Sequence, residues 1–325
     1  MVSFSVIIVT HGREELLSKC LDSLRPGFDD WQLVLVANGK ELSKNILDKT
    51  SLISKNVVIL KNDTQLSPGK ARNLAIESCS SEWIFFLDDD AYVLRTYWEV
   101  LFPLLEESKI EVLGGPDKAP EGMNFVGQGL AIALSSPLCS GSTFARHKPL
   151  GKKLIEVNEE KLTSCNLWVR RSLLDSIKFP EHFKRAEETV LLQRLYFSGK
   201  KMFYHPKLLV AHHRREKVFE IIKPSFFAGI YRSKSMKMND QKSNFLFWLP
   251  AIFVLLHGVY FIDSFIFWHF ARMYIGLILF MSLAITSKEK KINLVPTVMF
   301  FHYFIVFLYG LGFLYEKIGL RNGNN

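Results

Sequence analysis

The chain has 325 residues, 48% of them hydrophobic and 22% charged, with a formal net charge of +9. That apolar share excludes a disordered polar chain and suffices for two domains with buried cores. The cationic excess clusters between His205 and Lys242, next to the most apolar part of the chain, so a membrane surface is the expected partner and no nucleic acid is.

Four cysteines, Cys20, Cys79, Cys139 and Cys165, lie far apart and match no metal-ligand spacing, which points to reduced thiols. Met1–Thr10 lacks a basic leader, and its apolar run, Phe4–Val9, is too short for a signal peptide.

Phe4–Thr10 reads as a strand and His11-Gly12-Arg13 as a turn. Glu14–Leu24 repeats its apolar residues at helical spacing until Pro26-Gly27 stops it. Trp31–Ala37 is a second strand, ending at Asn38-Gly39. Glu41–Leu52 is helical and Val57–Leu60 is a third strand. Ser67-Pro68-Gly69 introduces a helix over Lys70–Ser78. Trp83–Leu87 is a run of five apolar residues that reads as a buried strand, followed at once by Asp88, Asp89 and Asp90. Along extended backbone, side chains two apart point the same way, so Asp88 and Asp90 can face one site while Asp89 faces elsewhere. Adjacent carboxylates repel unless a cation or donors compensate. Mg²⁺ and Mn²⁺ take carboxylate and phosphate oxygens. The acids therefore read as a metal–diphosphate site, or else as a solvated acidic turn.

Strands alternating with helices indicate an α/β, Rossmann-like domain with a mostly parallel sheet. Ligands of such sheets bind at the carboxyl ends of the strands, where Thr10-His11, Asn38-Gly39 and Asp88–Asp90 all fall. Further on, Val112-Leu113-Gly114-Gly115-Pro116 is a strand ending in a turn. Gly127 to Ser142 is rich in Gly and Ser and leads to Arg146-His147; it reads as a surface loop or as an acceptor-side segment near a membrane. Asn166–Arg171 is a short strand before a helix over Ser172–Ser176. Glu187-Glu188 opens a helix over Thr189–Phe197. Acids there suit the helix dipole; they also suit a general base that takes a proton from an attacking hydroxyl. Lys201–Tyr204 and Leu208–Val210 are short strands, and His212-His213-Arg214-Arg215 follows. That group can hold a metal or diphosphate, or form a basic surface facing anionic lipid.

From Glu216 the composition changes. Residues 216–244 mix aromatic and aliphatic residues with lysine and arginine, as an amphipathic interfacial segment does. Residues 245–316 contain three apolar spans, Phe245–Ile262, Ser264–Thr286 and Val295–Tyr315, before a tail at 317–325. The cationic flanks, including Lys288, Lys290 and Lys291, predict a multi-pass protein of the plasma membrane with residues 1–215 on the cytoplasmic side. Arg272, within a span, is expected to face a partner helix or to snorkel.

SVIIVTHGR, LVLVANG, PGKARNLAI and FLDDDAY, in that order, resemble the family 2 glycosyltransferases of the GT-A fold. The resemblance covers about residues 3–215, and the ordered set carries it. SSPLCSGSTFARH is similar to membrane-attached relatives that build bacterial exopolysaccharides. The resemblance implies an inverting transferase that uses a nucleotide-sugar donor, a Mn²⁺ or Mg²⁺ cofactor and a lipid-linked or saccharide acceptor. It assigns Thr10, His11 and Asn38, with Arg13, to the nucleotide. Gly69, Arg72 and Asn73 would close over that nucleotide. Asp88 and Asp90 would bind metal and diphosphate, with Asp89 beside the donor and His212 as a further ligand. EETVLLQRLYFSG resembles the family's acid-opened helix, which makes Glu188 the base, Glu187 its neighbour and Arg194 an anchor. One departure is Ala37, where the family has an acid that contacts the base, so UDP is not fixed as the nucleotide. Two other readings stay open: a nucleotidyltransferase on a related fold, and a non-catalytic membrane scaffold.

Overall fold

The computed structural model describes residues 2–27, 30–238, 245–259 and 264–319. In chain order the elements are β1 (Phe4–Thr10), α1 (Glu14–Asp22), β2 (Gln32–Asn38), α2 (Lys44–Ile53), β3 (Asn56–Asn62) and α3 (Pro68–Glu77). Next come β4 (Trp83–Phe86), β5 (Ala91–Val93), α4 (Tyr97–Leu105), β6 (Val112–Gly114), β7 (Asp117–Lys118), α5 (Phe125–Leu134) and α6 (Pro137–Ser140). After them lie β8 (Ile155–Val157), β9 (Leu167–Arg170), α7 (Arg171–Ser176), α8 (Glu187–Phe197), β10 (Met202–Tyr204) and β11 (Val210–His212). The chain closes with α9 (Val218–Met238), α10 (Leu249–Gly258), α11 (Ser264–Lys288) and α12 (Val295–Lys317).

These elements form two units: residues 1–120 with 148–213, and residues 121–147 with 214–325. The first is built on an eight-stranded sheet in the order β3-β2-β1-β4-β9-β6-β10-β8. β1, β2, β3 and β4 pair in parallel, as do β6 and β10, while β9 and β8 run antiparallel to their neighbours. A three-stranded sheet, β5-β11-β7, lies beyond the ends of β4 and β6. β2 and β4 are buried along their whole length, which is why their sequences read as continuous apolar runs instead of alternating ones. Their side chains split between two cores: Leu33, Leu35 and Phe85 face one, and Val34, Val36, Ile84 and Phe86 face the other. In the first, Phe85 stacks on Trp168 at 4.4 Å. Trp168 Nε1 donates to Tyr97 Oη at 2.9 Å, and Tyr97 donates to Asn166 Oδ1 at 2.5 Å. Asn166 in turn donates to the carbonyls of Leu208 and Pro116 at 2.8 and 3.3 Å, which ties the small sheet to the large one.

The second unit is helical. α12 packs against α9, α10, α5 and α11. Its contact with α9 is backbone to backbone: a Cβ on Gly312 would strike the carbonyl oxygen of Phe226, and one on Gly229 would strike that of Tyr309. Small residues at such crossings let helices approach closely. The segment from Gly127 to Ser142, which the sequence leaves as a loop or a membrane-side segment, is largely the helices α5 and α6, with Leu130 and Ala133 in a core shared with Val298 and Phe301. Two helices, at 267–288 and 292–317, are long and apolar enough to cross a bilayer. The span expected at 245–262 gives a shorter helix, α10, among its described residues; 260–263 lie outside them, as do 239–244 of the interfacial segment and 320–325 of the tail.

Phe85→Ala empties a fully buried site and is expected to cost about 3–5 kcal/mol, read as an earlier midpoint in denaturant unfolding followed by near-UV dichroism. Gly312→Val should force α9 and α12 apart and lower the melting temperature of the detergent-solubilised protein.

Candidate functional site

The site lies in the first unit, at the carboxyl ends of β1, β2 and β4. β4 ends at Phe86, and the three aspartates beyond it diverge. Asp89 is fully buried. It accepts from Thr10 Oγ1 at 2.6 Å and from the Arg13 guanidinium, whose Nε lies 3.4 Å from Oδ2. Burial raises its pKa to about 6, against the opposing pull of Arg13 and Thr10. Asp88 and Asp90 both offer an oxygen to a cluster with His212, although residues 89–90 form a turn and Arg13 pairs with Asp89 and Asp90 alike. Asp88 accepts from Arg72 Nη2 at 3.0 Å. Asp90 accepts from Arg13 Nη1 and lies 3.2 Å from His212 Nε2. Burial pushes the Asp90 carboxyl up, but His212 and Arg13 outweigh it and hold it below the usual carboxylate range.

One ligand atom from each of Asp88, Asp90 and His212 falls within 4.8 Å of the others. Asp90 Oδ1 is buried, faces His212 Nε2 at 3.2 Å and accepts no well-directed hydrogen bond among the described residues, although a carboxylate oxygen in that position needs one. An oxygen left open toward a second carboxylate and an imidazole nitrogen fits a hard or borderline divalent cation such as Mg²⁺ or Mn²⁺. These three residues would hold it.

The start of α3 supplies the opposite wall. Ser67 caps the helix and Pro68 opens it. Gly69 sits where a Cβ would strike the carbonyl oxygen of Pro180. Asn73 Nδ2 donates to Phe179 O at 3.0 Å and to Glu181 Oε1 at 3.1 Å, while its Oδ1 accepts from Phe179 N–H. Gly69 and Asn73 therefore hold the segment 179–181 in place. Asn38 makes two bonds to the Leu66 backbone, and His11 Nδ1 lies 2.6 Å from Asn38 O. Ala37 is 2% exposed and packs in the core with Leu33 and Leu35.

Arg72 is buried between two acids. Nη1 donates to Glu187, and Nη2 donates to Asp88 and, at 3.4 Å, to Ser164 Oγ. Burial alone would lower its pKa, but Glu187 and Asp88 raise it, so it stays charged. Glu187 is 5% exposed and committed to this pair. Glu188 is half-buried and accepts from Thr189 Oγ1 at 3.4 Å. Ala186, just before them, has φ 58°, a strained left-handed conformation for a residue with a Cβ. Arg194 Nη1 donates to Lys178 O at 3.1 Å and anchors α8.

Three side chains that the sequence reading passed over join this group. Asp117 and Cys165 form a second cluster with His212, and Ser164 touches Arg72. Asp117 carried a signal: a carboxylate placed directly after the strand-ending Gly114-Gly115-Pro116. Cys165 and Ser164 carried none. Burial pushes the Cys165 thiol up to about 11, so it is a neutral donor.

Residues 5–177, just over half of the chain, match the model of glycosyl transferase family 2. The chain is 25% identical over 206 residues to a poly(ribitol-phosphate) beta-glucosyltransferase of Bacillus spizizenii, covering 62% of this chain and 30% of that protein. It is 24% identical over 208 residues to the poly(ribitol-phosphate) beta-N-acetylglucosaminyltransferase TarS of Staphylococcus aureus, covering 62% and 34%. It thus spans about a third of the length of these relatives. Among solved structures, residues 1–349 of S. aureus TarS align at TM-score 0.52 and 17% identity over 98% of this chain and 92% of that one. The mannosyltransferase PcManGT of Pyrobaculum calidifontis, in complex with GDP-Man and Mn²⁺, aligns at TM-score 0.58 and 10% identity over 91% and 85%. The expected fold is borne out: a GT-A α/β domain with C-terminal helices. By the extent of the match and the ordered motifs at its strand ends, the chain is a member of glycosyl transferase family 2.

Proposed function

We propose that the chain is an inverting, metal-dependent glycosyltransferase that moves a sugar from a nucleotide-sugar donor to an acceptor at the cytoplasmic face of the plasma membrane. The acceptor is a lipid-linked saccharide or a polyprenyl phosphate. The observation that carries this reading is the Arg72 bridge. It joins Asp88 of the candidate cation cluster to Glu187, so that Glu188 opens its helix beside that cluster.

In this mechanism an acceptor oxygen attacks the anomeric carbon, the bond from that carbon to the diphosphate breaks, and configuration inverts. Glu188 takes the hydroxyl proton; Glu187, held by Arg72, keeps α8 in place. The cation, held by Asp88, Asp90 and His212, would neutralise charge on the departing diphosphate. Relatives named for transfer to poly(ribitol-phosphate) support an acceptor in cell-envelope glycan assembly, and the GDP-Man and Mn²⁺ complex of a fold neighbour supports the donor class and cofactor. The membrane assignment rests on exposure. Only 22% of the α11 window is buried within the protein and 39% of the α12 window. Phe265, Trp268, Met273, Ile275 and Phe280 are all exposed on α11. A soluble protein rarely leaves so large an apolar face in water.

The deciding experiment is calorimetric titration of the full chain in detergent with UDP, GDP, CDP and their sugars, with and without Mn²⁺. One nucleotide is expected to bind only with the cation, and Asp90→Ala should weaken it at least tenfold. No binding, or binding indifferent to the cation, overturns the reading, and release of pyrophosphate would mark a nucleotidyltransferase instead. Glu188→Gln should lower kcat by about 10²–10⁴ with a hydroxyl acceptor and leave donor affinity unchanged; a loss under tenfold would point to an acceptor that is already anionic, such as polyprenyl phosphate.

A further inference from the structure

The cation cluster depends on which ring nitrogen of His212 faces it. Both nitrogens meet carboxylates. Nε2 lies 3.2 Å from Asp90 Oδ1, and Nδ1 lies 3.0 Å from Asp117 Oδ2. Asp117 is 1% exposed, and the same Oδ2 takes the Cys165 thiol at 3.5 Å.

The backbone places these groups. On β11, Val210 pairs with Asp117 and His212 with Ala91. Val210 N–H donates to Pro116 O at 3.2 Å, and His213 N–H donates to Asp90 O at 2.9 Å. Main-chain bonds thus set the register of β5, β11 and β7. Burying a carboxylate is costly, and here its oxygen is aimed at the imidazole.

We propose that Asp117 is a positioning residue of the cation site: it accepts the Nδ1–H of His212 and so presents the Nε2 lone pair to the space shared with Asp88 and Asp90. This rests on the reading of that cluster as the cation site. A histidine binds a cation through an unprotonated nitrogen, and the hydrogen bond made by its other nitrogen decides which one that is. Without an acceptor at Nδ1, the ring is free to carry its proton on Nε2 and to rotate out of line.

The test is Mn²⁺ affinity of the full chain in detergent, read from the paramagnetic resonance of free Mn²⁺. Asp117→Leu, similar in shape but without an acceptor, should weaken binding by about 10–100-fold. His212→Ala should weaken it at least as much, and the double variant should bind no more weakly than His212→Ala alone. Unchanged affinity in Asp117→Leu, or losses that add in the double variant, overturn the proposal. A check free of mutation uses ¹⁵N-histidine in the Mg²⁺-loaded wild type. His212 should carry its proton on Nδ1 and none on Nε2, and a proton on Nε2 overturns the proposal whether or not the variants fold. If the wild type binds no Mn²⁺ at all, the cation-site reading fails and the proposal with it. If Asp90→Ala weakens binding while His212→Ala does not, that reading stands and the role of Asp117 alone is overturned.

Discussion

A single buried guanidinium organises the first unit. Arg72 is 8% exposed, and taking such a charge out of water costs several kcal/mol unless partners repay it. Its partners come from distant parts of the chain: Asp88 follows β4 and Glu187 opens α8, 16 and 115 residues away. Removing one member of such a group leaves the others buried and uncompensated, at a cost of roughly 3–5 kcal/mol. The acids after β4 and the helix α8 are therefore one cooperative arrangement. The Phe179 ring, 5.5 Å from the guanidinium, adds an apolar cover, and Gly69 and Asn73 hold the segment that carries it. Gly69, Arg72 and Asn73, which the sequence resemblance assigns to the nucleotide, also hold this arrangement together.

How far this was legible varied with the range of the interaction. β1, β2 and β4 were plain because a strand buried on both faces writes itself as a local apolar run. Asp88 and Asp90 do share a cluster with His212, but the turn at 89–90 places them there, not the period of two that extended backbone would give. What the sequence could not carry was pairing at long range. β9 enters the middle of the sheet antiparallel, and nothing local in LWVR announces it. Asp117 meets His212 only because β7 pairs with β11. The helices α5 and α6 were obscured by their own Gly and Ser content, which reads as loop. There, small residues serve close packing, with Gly129 set against Thr297 of α12.

The second unit solves a different problem. Many outward-facing side chains on α11 are large and apolar, with His269 and Arg272 exposed among them, while some polar groups turn inward: Ser282 pairs with His302 at 2.9 Å, and Thr286 donates to the Ser282 carbonyl at 2.7 Å. In water this distribution is inverted and unfavourable. Against hydrocarbon it is what unsatisfied polar groups demand, since lipid offers them no partner. Helix contact then depends on close packing instead of apolar burial, and the glycine crossings of α9 and α12 supply it.

The charges around the site bear on its chemistry. Asp88, Asp89, Asp90, Asp117 and Glu187 gather around Arg13, Arg72 and His212. On the proposed function, a donor diphosphate would bring further negative charge to these acids. Coulomb repulsion between these carboxylates and that diphosphate would then be worth kilocalories even at an effective dielectric constant of about 20. Arg13 and Arg72 do not remove it, because each is already spent on two carboxylates. On the proposed function, a divalent cation held by Asp88, Asp90 and His212 would offset that charge. It would also take up the Asp90 Oδ1 that faces His212 Nε2 at 3.2 Å.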